Sequence, residues 1–489
     1  MLRVKKHFWI ILVILYFLGI SSVYALMSVV KHSHYGTLGD LGIFNQGIWQ
    51  YSRLIWPIIS FHLNGPFLGD HFHPIVAFLA PFYWLWPREE TLLVLQPFVM
   101  LSAIIPLYLI SRKLTKSVFF SLAVILGYSF YIPLQYTIFY DFHEIVFLPP
   151  LFAWAYYFFI NKKKFLTAFF LFLCLLVKEE VGFFVATFGL YLLIFKKNWR
   201  LFGLAWLISG IGWSLAMIYW VIPGLAGAPY RYFVLGDLGK TPIEIIRNIA
   251  TNPKVLIDLM TNSEIKLDTM YRTFYPFGFL PLGSIFGLVM SYQQLFFRFM
   301  SSQYPTRWTL AYHYSAPMAI IVSIASIETA SVIANTVKQS SKRLPRFLRS
   351  LAMTRFIFIF LGILIILFTR LDQINRSAVL LIKRQIFWDR APYMDSLDKA
   401  IKLIPPNASV AAQNNLISHV STRQKVWTIR DIDKGEYLLF DFHQGQSSYN
   451  FLGQEIWDKY EKIIKDAIKT GKYKVVFNEG EVYLLTINP

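Results

Sequence analysis

Apolar runs long enough to cross a lipid bilayer recur through the first three-quarters of the chain. The first, from His7 to Val30, is too long for the apolar core of a secretory signal peptide, and no A-x-A-like cleavage motif follows it. Further apolar segments lie at 91–111, 117–135, 145–160, 165–177, 181–195, 201–222, 274–298, 313–335 and 351–370. Because 56% of the residues are hydrophobic and only 15% are charged, against about 25% in soluble chains, we predict a polytopic α-helical membrane protein with an uncleaved first span.

The net charge of +19 falls in short basic clusters between these runs, which is typical of membrane topology rather than of nucleic-acid binding. The clusters lie at 3–6, 112–116, 162–164, 196–200 and 338–355. Because cytoplasmic loops collect Lys and Arg, we place these clusters and the N-terminus in the cytoplasm. The segments 31–90, 136–144, 178–180, 223–273, 299–312 and 371–489 then lie outside.

This arrangement predicts about eleven spans in the plasma membrane. It requires 274–298 to be a tight hairpin of two short helices, although a re-entrant segment fits the same residues. The segment 74–87 carries three prolines and suits an interfacial helix. The single cysteine, Cys174, excludes a disulfide framework and a thiolate metal site.

The apolar stretch from Phe165 to Phe195 is interrupted by Lys178, Glu179 and Glu180. At the centre of one continuous helix each of these charges would cost about 2.5–3.5 kcal/mol. We therefore expect two short helices joined at this triad, which would lie below the outer surface. Charges at that depth line a cavity or pair with partners, and pairing of Lys178 with a neighbouring glutamate is the alternative to a functional role.

The chain changes character after Arg370, where charged residues become frequent. Runs typical of strands lie at 408–412, 437–440, 474–477 and 482–486, and helical patterns lie at 393–403 and 455–470. The sequence thus predicts a transmembrane domain over 1–370 and a small extracytoplasmic α/β domain over 371–489.

Ionisable side chains of separate outer connections are expected to converge on one site, because isolated charges at membrane depth are costly. The first outer loop, 31–90, supplies acids and histidines, the second supplies Asp141, His143 and Glu144, and the triad is the third group. The candidates in the first loop are His32, His34, Asp40, His62, Asp70, His71 and His73. Cationic candidates further along are Arg231, Arg272, Arg307 and His313, the first two in the outer loop 223–273.

Each candidate has an ordinary structural interpretation as well. Asp40 and Asp70 each precede a helical pattern and could be N-caps. Residues 141–144 could form a solvated turn, and Arg307 and His313 could belong to an aromatic interfacial belt. P-loop, G-x-S-x-G, H-E-x-x-H and C-x-x-C motifs are absent from the outer loops.

Several motifs occur in one order along almost the whole chain. They read LGDLGIFNQGIW, DHFHPIVAFLAPFYWLWP, LLVLQPFVMLSAIIPLYLISRKL, FYDFHE, LLVKEEVG, YHYSAP and IPPNASVAAQNNLISHVSTRQ. This pattern resembles the domain of unknown function 2079 family of polytopic membrane proteins. That family is similar in architecture to the GT-C glycosyltransferases, which include the aminoarabinose transferase.

The resemblance implies a glycosyltransferase that uses a polyprenyl-phosphate-linked sugar and an unknown glycan, lipid or protein acceptor. It implies Asp40 as the general base of an inverting transfer. Cations would neutralise the departing phosphate, and the candidates are Lys178, Arg231, Arg272, Arg307 and His313. The sugar or acceptor cavity would be shaped by Asp70, His71, His73, Asp141, His143, Glu144, Glu179 and Glu180.

No cofactor is assigned from the sequence, and a divalent cation on His71, His73, Asp141 and His143 is an open alternative to the cationic side chains. A transporter or lipid flippase that couples protons or cations to the acid and histidine cluster is a second possibility. The lack of an internal repeat and the clustering of the acids on one side favour the enzyme. A metal-sensing or scaffold membrane protein is a third interpretation.

Overall fold

The computed structural model describes residues 2–487 except 63, 233–234, 240, 301–303, 341–350, 452 and 472. The described chain is mostly helical, with a sheet near its C-terminal end. The α-helices are α1 (Leu2–Ser33), α2 (Gly39–Ser52), α3 (Phe82–Leu85), α4 (Glu90–Leu101), α5 (Ile104–Thr115), α6 (Val118–Ser129), α7 (Ile132–Phe139), α8 (Leu148–Ile160), α9 (Lys164–Leu175), α10 (Val181–Phe195), α11 (Arg200–Ala216), α12 (Ile222–Ala226), α13 (Pro242–Thr251), α14 (Lys254–Thr261), α15 (Glu264–Phe274), α16 (Ile285–Phe299), α17 (Ala316–Ser340), α18 (Leu351–Gln373), α19 (Pro392–Lys402), α20 (Asn414–Ile417) and α21 (Gln454–Lys469). The strands are β1 (Ile58–Ile59), β2 (Gly65–Pro66), β3 (Val410–Ala412), β4 (Val426–Thr428), β5 (Tyr437–Asp441), β6 (Tyr473–Glu479) and β7 (Val482–Ile487).

Within these described ranges, five helical segments are long and apolar enough to cross a membrane. They are His7–Ser33, Glu90–Thr115, Lys197–Ala226, His313–Gln339 and Thr354–Gln373. The pair α6 and α7, bent by 44°, is a sixth candidate if it counts as one span. Four further apolar helices are shorter, at Pro74–Leu85, Glu144–Ile160, Lys164–Leu175 and Val181–Phe195. The predicted count of about eleven spans is therefore not confirmed.

The hairpin of two helices predicted for 274–298 is wrong. Short 3-10 turns occupy Tyr275–Phe277 and Leu280–Gly283, and a single helix, α16, follows. Pro276 and Pro281 interrupt helical hydrogen bonding, and Gly278 adopts a left-handed backbone with φ of 58°. The segment 74–87 contains a 3-10 turn at Pro74–Leu79 followed by α3, and it exposes large apolar side chains.

The predicted break in Phe165–Phe195 is confirmed. Helix α9 ends at Leu175, α10 begins at Val181, and the charged triad lies between them. Helix α10 packs closely along α11 because glycines face each other: a methyl group on Gly182 would lie 2.4 Å from the Gly210 carbonyl oxygen. This close packing fixes the start of α10 and hence the position of the triad.

Basic residues gather at the opposite end of these two helices. Lys113 contacts the Asn161 side chain, and the Lys164 ammonium lies 5.8 Å from the centre of the Trp199 ring. The clusters 112–116, 162–164 and 196–200 therefore meet at one end of the bundle, whereas the triad lies at the other.

The C-terminal sheet has the order β4-β3-β5-β7-β6. Strand β3 is parallel to β4 and β5, and β7 is antiparallel to β5 and β6. Side chains alternate between two apolar clusters, so that Leu439 and Leu484 face α19 whereas Leu438 and Leu485 face α21. Strand β4 was not expected from the sequence. A domain boundary at 371 and the side of the membrane on which this sheet lies stay predictions.

Candidate active site

The first turn of α2 carries Asp40, but this residue does not cap the helix. The N-cap position belongs to Leu38, and the fully buried carboxylate of Asp141 accepts hydrogen bonds from the backbone amides of Leu38 (2.8 Å) and Leu41 (3.4 Å). Burial raises the pKa of Asp141, and the nearby Lys31 ammonium opposes this effect. The alternative in which Asp40 is an N-cap is wrong, because Asp141 fills that role from another loop.

The side chain of Asp40 is 43% exposed and faces two residues of the second loop. The Tyr140 hydroxyl donates to its carboxylate at 3.1 Å, and His143 Nε2 lies 3.7 Å from the same oxygen. His143 Nδ1 is 3.0 Å from the Asp141 carbonyl oxygen. A carbonyl only accepts, so Nδ1 of His143 carries a hydrogen. An incoming hydroxyl group would meet a proton acceptor in the exposed carboxylate of Asp40.

A stack of aromatic rings connects Asp40 to a pocket. The His143 ring stacks on His313 with centroids 3.6 Å apart and planes 18° apart. His313 in turn lines a pocket whose empty space, counted together with its solvent-open part, is about 560 Å³. The charged side chains that share this lining are Lys178, Glu180, Arg298 and Arg307.

Lys178 is held in the pocket wall by a buried ion pair. Its ammonium nitrogen lies 2.8 Å from the Glu144 carboxylate, and both side chains are at most 5% exposed. Burial lowers the pKa of Lys178, but Glu144, Glu180 and Glu179 raise it more, so that the net shift is upward and the ammonium is charged at neutral pH.

Two arginines complete the cationic wall. Arg307 lies 3.7 Å from the Glu180 carboxylate and stacks over Tyr304 and Tyr314. Arg298 donates to the carbonyl oxygens of Arg307 (2.8 Å) and Thr309 (2.7 Å). Within the part of the chain that the structure describes, Arg298 Nη1 and Arg307 Nε are buried without a hydrogen-bond partner. A pocket with unused guanidinium donors suits an anionic group such as a phosphate.

Glu179 and Asp70 organise the surroundings of this pocket. The buried Glu179 carboxylate accepts from His71 Nδ1 (2.7 Å), from the backbone amide of Phe72 (2.9 Å) and from the Tyr230 hydroxyl (2.7 Å). Burial raises the pKa of Glu179, but His71 and the other donors lower it to about 2. The Tyr232 hydroxyl donates to the Asp70 carboxylate at 2.8 Å. The carboxylates of Glu179 and Asp70 therefore connect residues 70–72 to the start of the loop 223–273 through hydrogen bonds.

His73, rather than Asp70, lies at the start of the helix that follows the loop 70–73. The helix at Pro74–Leu79 has His73 at its N-cap position, so Asp70 is not the predicted cap. His73 packs against Phe44 and Phe67, and burial lowers its pKa to about 4. A neutral histidine between aromatic rings is a packing element of this site.

The structure does not bring all of the predicted cations to the pocket. Arg272 forms an ion pair with Asp268 one turn earlier on α15, and Arg231 is exposed and approaches Tyr304 through its backbone oxygen at 3.1 Å. Arg298, in contrast, was missed by the sequence analysis. Its signal is a single charge inside the apolar run FFRFM, which was interpreted as part of a membrane hairpin.

The four residues of the predicted metal set have other partners in the structure. His71 is bound to Glu179, and Asp141 is bound to the backbone amides of α2. In the described ranges, His71, His73, Asp141 and His143 do not form a group of three ligand atoms within reach of one ion; the group that does is a different one.

Comparison with known proteins agrees with the predicted resemblance. A family model described as "Predicted membrane protein (DUF2079)" matches residues 35–484. The chain is also similar to the crystal structure of ArnT from Cupriavidus metallidurans bound to undecaprenyl phosphate, with a TM-score of 0.50 and 11% identity over 97% of this chain and 99% of that one. No curated protein matches in sequence. The structural match shows a shared GT-C-like fold, and the family match shows that the chain belongs to the DUF2079 family of membrane proteins.

Proposed function

We propose that this protein is a membrane glycosyltransferase that transfers a sugar from a polyprenyl-phosphate donor to an acceptor hydroxyl, with inversion. The observation that carries the proposal is the arrangement of Asp40 beside a cationic pocket, from which it is separated by the stacked rings of His143 and His313. The structure of ArnT with bound undecaprenyl phosphate supports the lipid-phosphate character of the donor.

In the proposed reaction the acceptor hydroxyl lies against Asp40 and His143. The Asp40 carboxylate takes the hydroxyl proton while the acceptor oxygen forms a bond to the anomeric carbon. The bond from that carbon to the phosphate oxygen breaks on the opposite side, and its electron pair leaves with the polyprenyl phosphate. Lys178, Arg298 and Arg307 stabilise the negative charge that develops there.

The cation assignment follows the geometry of the pocket. We keep Lys178, Arg307 and His313 as phosphate contacts, add Arg298, and leave out Arg272, which is paired with Asp268. Arg231 lies between Tyr230, which binds Glu179, and Tyr232, which binds Asp70. We propose that this part of the loop borders the entrance for the donor.

The reaction face is proposed from charge distribution. Basic clusters meet at the end of the bundle opposite to the triad, and Lys and Arg mark the cytoplasmic side. We therefore place the N-terminus in the cytoplasm and the pocket, together with the C-terminal sheet, on the extracytoplasmic face of the plasma membrane.

The proposal is tested with purified protein in lipid and a panel of polyprenyl-phosphate sugars, each offered with extracts of glycans, lipids and proteins as acceptors. We expect release of free polyprenyl phosphate from at least one donor, and loss of that release in Asp40→Asn. Asp458→Asn, on the exposed face of α21, is the matched control and keeps the release. Equal release by wild type and Asp40→Asn would contradict the assignment of the base, and no release from any combination would contradict the glycosyltransferase.

A further inference from the structure

Three side chains of metal-binding residue types, from distant parts of the sequence, meet where α1 ends. His32 belongs to the last turn of α1, Glu89 immediately precedes α4, and His419 follows α20 in the C-terminal region. One ligand atom from each lies within 4.8 Å of the other two. None of the three belongs to the pocket or to the Asp40 group described above.

Hydrogen bonds and ring packing orient the two histidines. His32 Nδ1 lies 2.7 Å from the Thr37 hydroxyl, which is 3.0 Å from the Ser418 hydroxyl. His32 Nε2 therefore points away from Thr37, and it lies 3.5 Å from the Glu89 carboxylate. The ring of His419 stacks on His32 with centroids 3.9 Å apart and planes 6° apart.

One ring nitrogen of each histidine lacks the hydrogen-bond partner that buried polar atoms normally have. Among the described residues, Nε2 of His32 and Nε2 of His419 are buried and make no hydrogen bond. A buried imidazole nitrogen without a partner loses its hydration with no compensation. A cation between the two nitrogens and the carboxylate would satisfy all three groups at once.

We propose that His32, Glu89 and His419 bind a divalent zinc-class cation. Two imidazoles and one carboxylate are a zinc ligand set, with metal–ligand distances of about 2.0–2.2 Å. Tetrahedral coordination at that distance places ligand atoms about 3.4 Å apart. Because the two rings are stacked, binding requires at least one imidazole to turn so that both nitrogen lone pairs point at the ion. Thr37 fixes the ring of His32 through Nδ1, as outer partners of metal-bound histidines do.

The proposed ion has a structural task. Residues around His419 lie on α2, the helix that carries Asp40: the Asn45 amide donates to Ser421 at 2.7 Å, and Gln46 donates to the Arg423 carbonyl at 3.0 Å. A cation shared by α1, the start of α4 and this segment would fasten the C-terminal region over α2. Its presence does not depend on the proposed transfer reaction.

The test is direct zinc binding by the full-length protein in detergent after removal of metals. We expect one Zn²⁺ per chain by elemental mass spectrometry, with stoichiometric binding lost in His32→Gln, Glu89→Gln and His419→Gln. His34→Gln is the matched control, because His34 directly follows the last residue of α1 but bonds to the backbone oxygens of Val30 and Asp389. Thr37→Val should weaken zinc binding about 10–100-fold.

A spectroscopic measurement on wild type keeps the test independent of folding defects in the variants. X-ray absorption of the zinc-loaded protein should show nitrogen and oxygen ligands with two imidazoles and no sulfur. Wild type without stoichiometric zinc, a spectrum without two imidazoles, or unchanged zinc binding in a folded His419→Gln variant would each overturn the proposal.

Discussion

Replacement of Lys178 separates its structural role from its proposed contact with the donor phosphate. The Lys178–Glu144 pair is 2.8 Å long, and its side chains are 5% and 1% exposed. In Lys178→Met the Glu144 carboxylate stays buried without its partner, which costs about 3–5 kcal/mol of folding free energy. The double variant Lys178→Met with Glu144→Gln removes both charges, and we expect it to recover most of that loss.

The assay measures the free energy of unfolding in detergent and the donor affinity for wild type, both single variants and the double variant. Glu144→Gln should cost less than Lys178→Met, because Glu179 and Glu180 also lie near the ammonium. The double variant should be folded, but it should bind the donor less tightly than wild type, because the cationic contact from Lys178 is gone. A double variant no more stable than Lys178→Met would refute the buried pair, and full donor affinity in the double variant would refute the phosphate contact.

Three further predictions concern the neighbouring groups. Asp141→Ala should lower the free energy of unfolding by about 1–2 kcal/mol, the usual cost of a lost helix cap. It should also reduce turnover, because α2 carries Asp40. Normal stability of this variant would contradict the capping role. Arg298→Gln should weaken donor binding about tenfold, the effect of one charged hydrogen bond. Arg272→Gln, which removes an arginine from an exposed ion pair, should leave donor binding unchanged. Equal effects of the two substitutions would contradict the assignment of the pocket. Burial and Lys178 lower the pKa of His71, but Glu179 and Asp70 raise it more, so the net shift of this pKa is upward. The stability that His71 contributes should therefore be complete below about pH 6.5. It should be lost as the pH rises through the raised pKa. Unfolding measured as a function of pH should show this slope in wild type and lose it in His71→Gln.

The long spans and the break at the triad could be predicted because their physics is local. The helix His7–Ser33 contains one long apolar run, and three adjacent charges inside Phe165–Phe195 are too costly for one continuous helix. The prediction for 274–298 was wrong for a local reason as well. The prolines and glycines of this segment interrupt helix formation, so that it forms two 3-10 turns and one helix rather than two helices. Composition alone did not reveal this outcome.

The contacts of the site depend on long-range packing, and the sequence indicated them only in part. Asp40 looked like a helix cap, yet the residue that binds the free amides of α2 is Asp141, which follows Leu41 by 100 residues. Arg272 was grouped with the phosphate contacts by position, although Asp268 neutralises it one turn away. His32 and His419 were separate histidines in the sequence, and only the docking of the C-terminal region on α2 brings them together.

In the proposed reaction, Asp40 acts on the acceptor and the cationic pocket holds the donor phosphate. The most direct test measures donor binding and turnover side by side for wild type and Asp40→Asn in lipid. We predict that Asp40→Asn binds the polyprenyl-phosphate sugar with unchanged affinity and loses turnover by about 100-fold or more, the usual contribution of a general base. Undiminished turnover in a variant that binds the donor normally would contradict it.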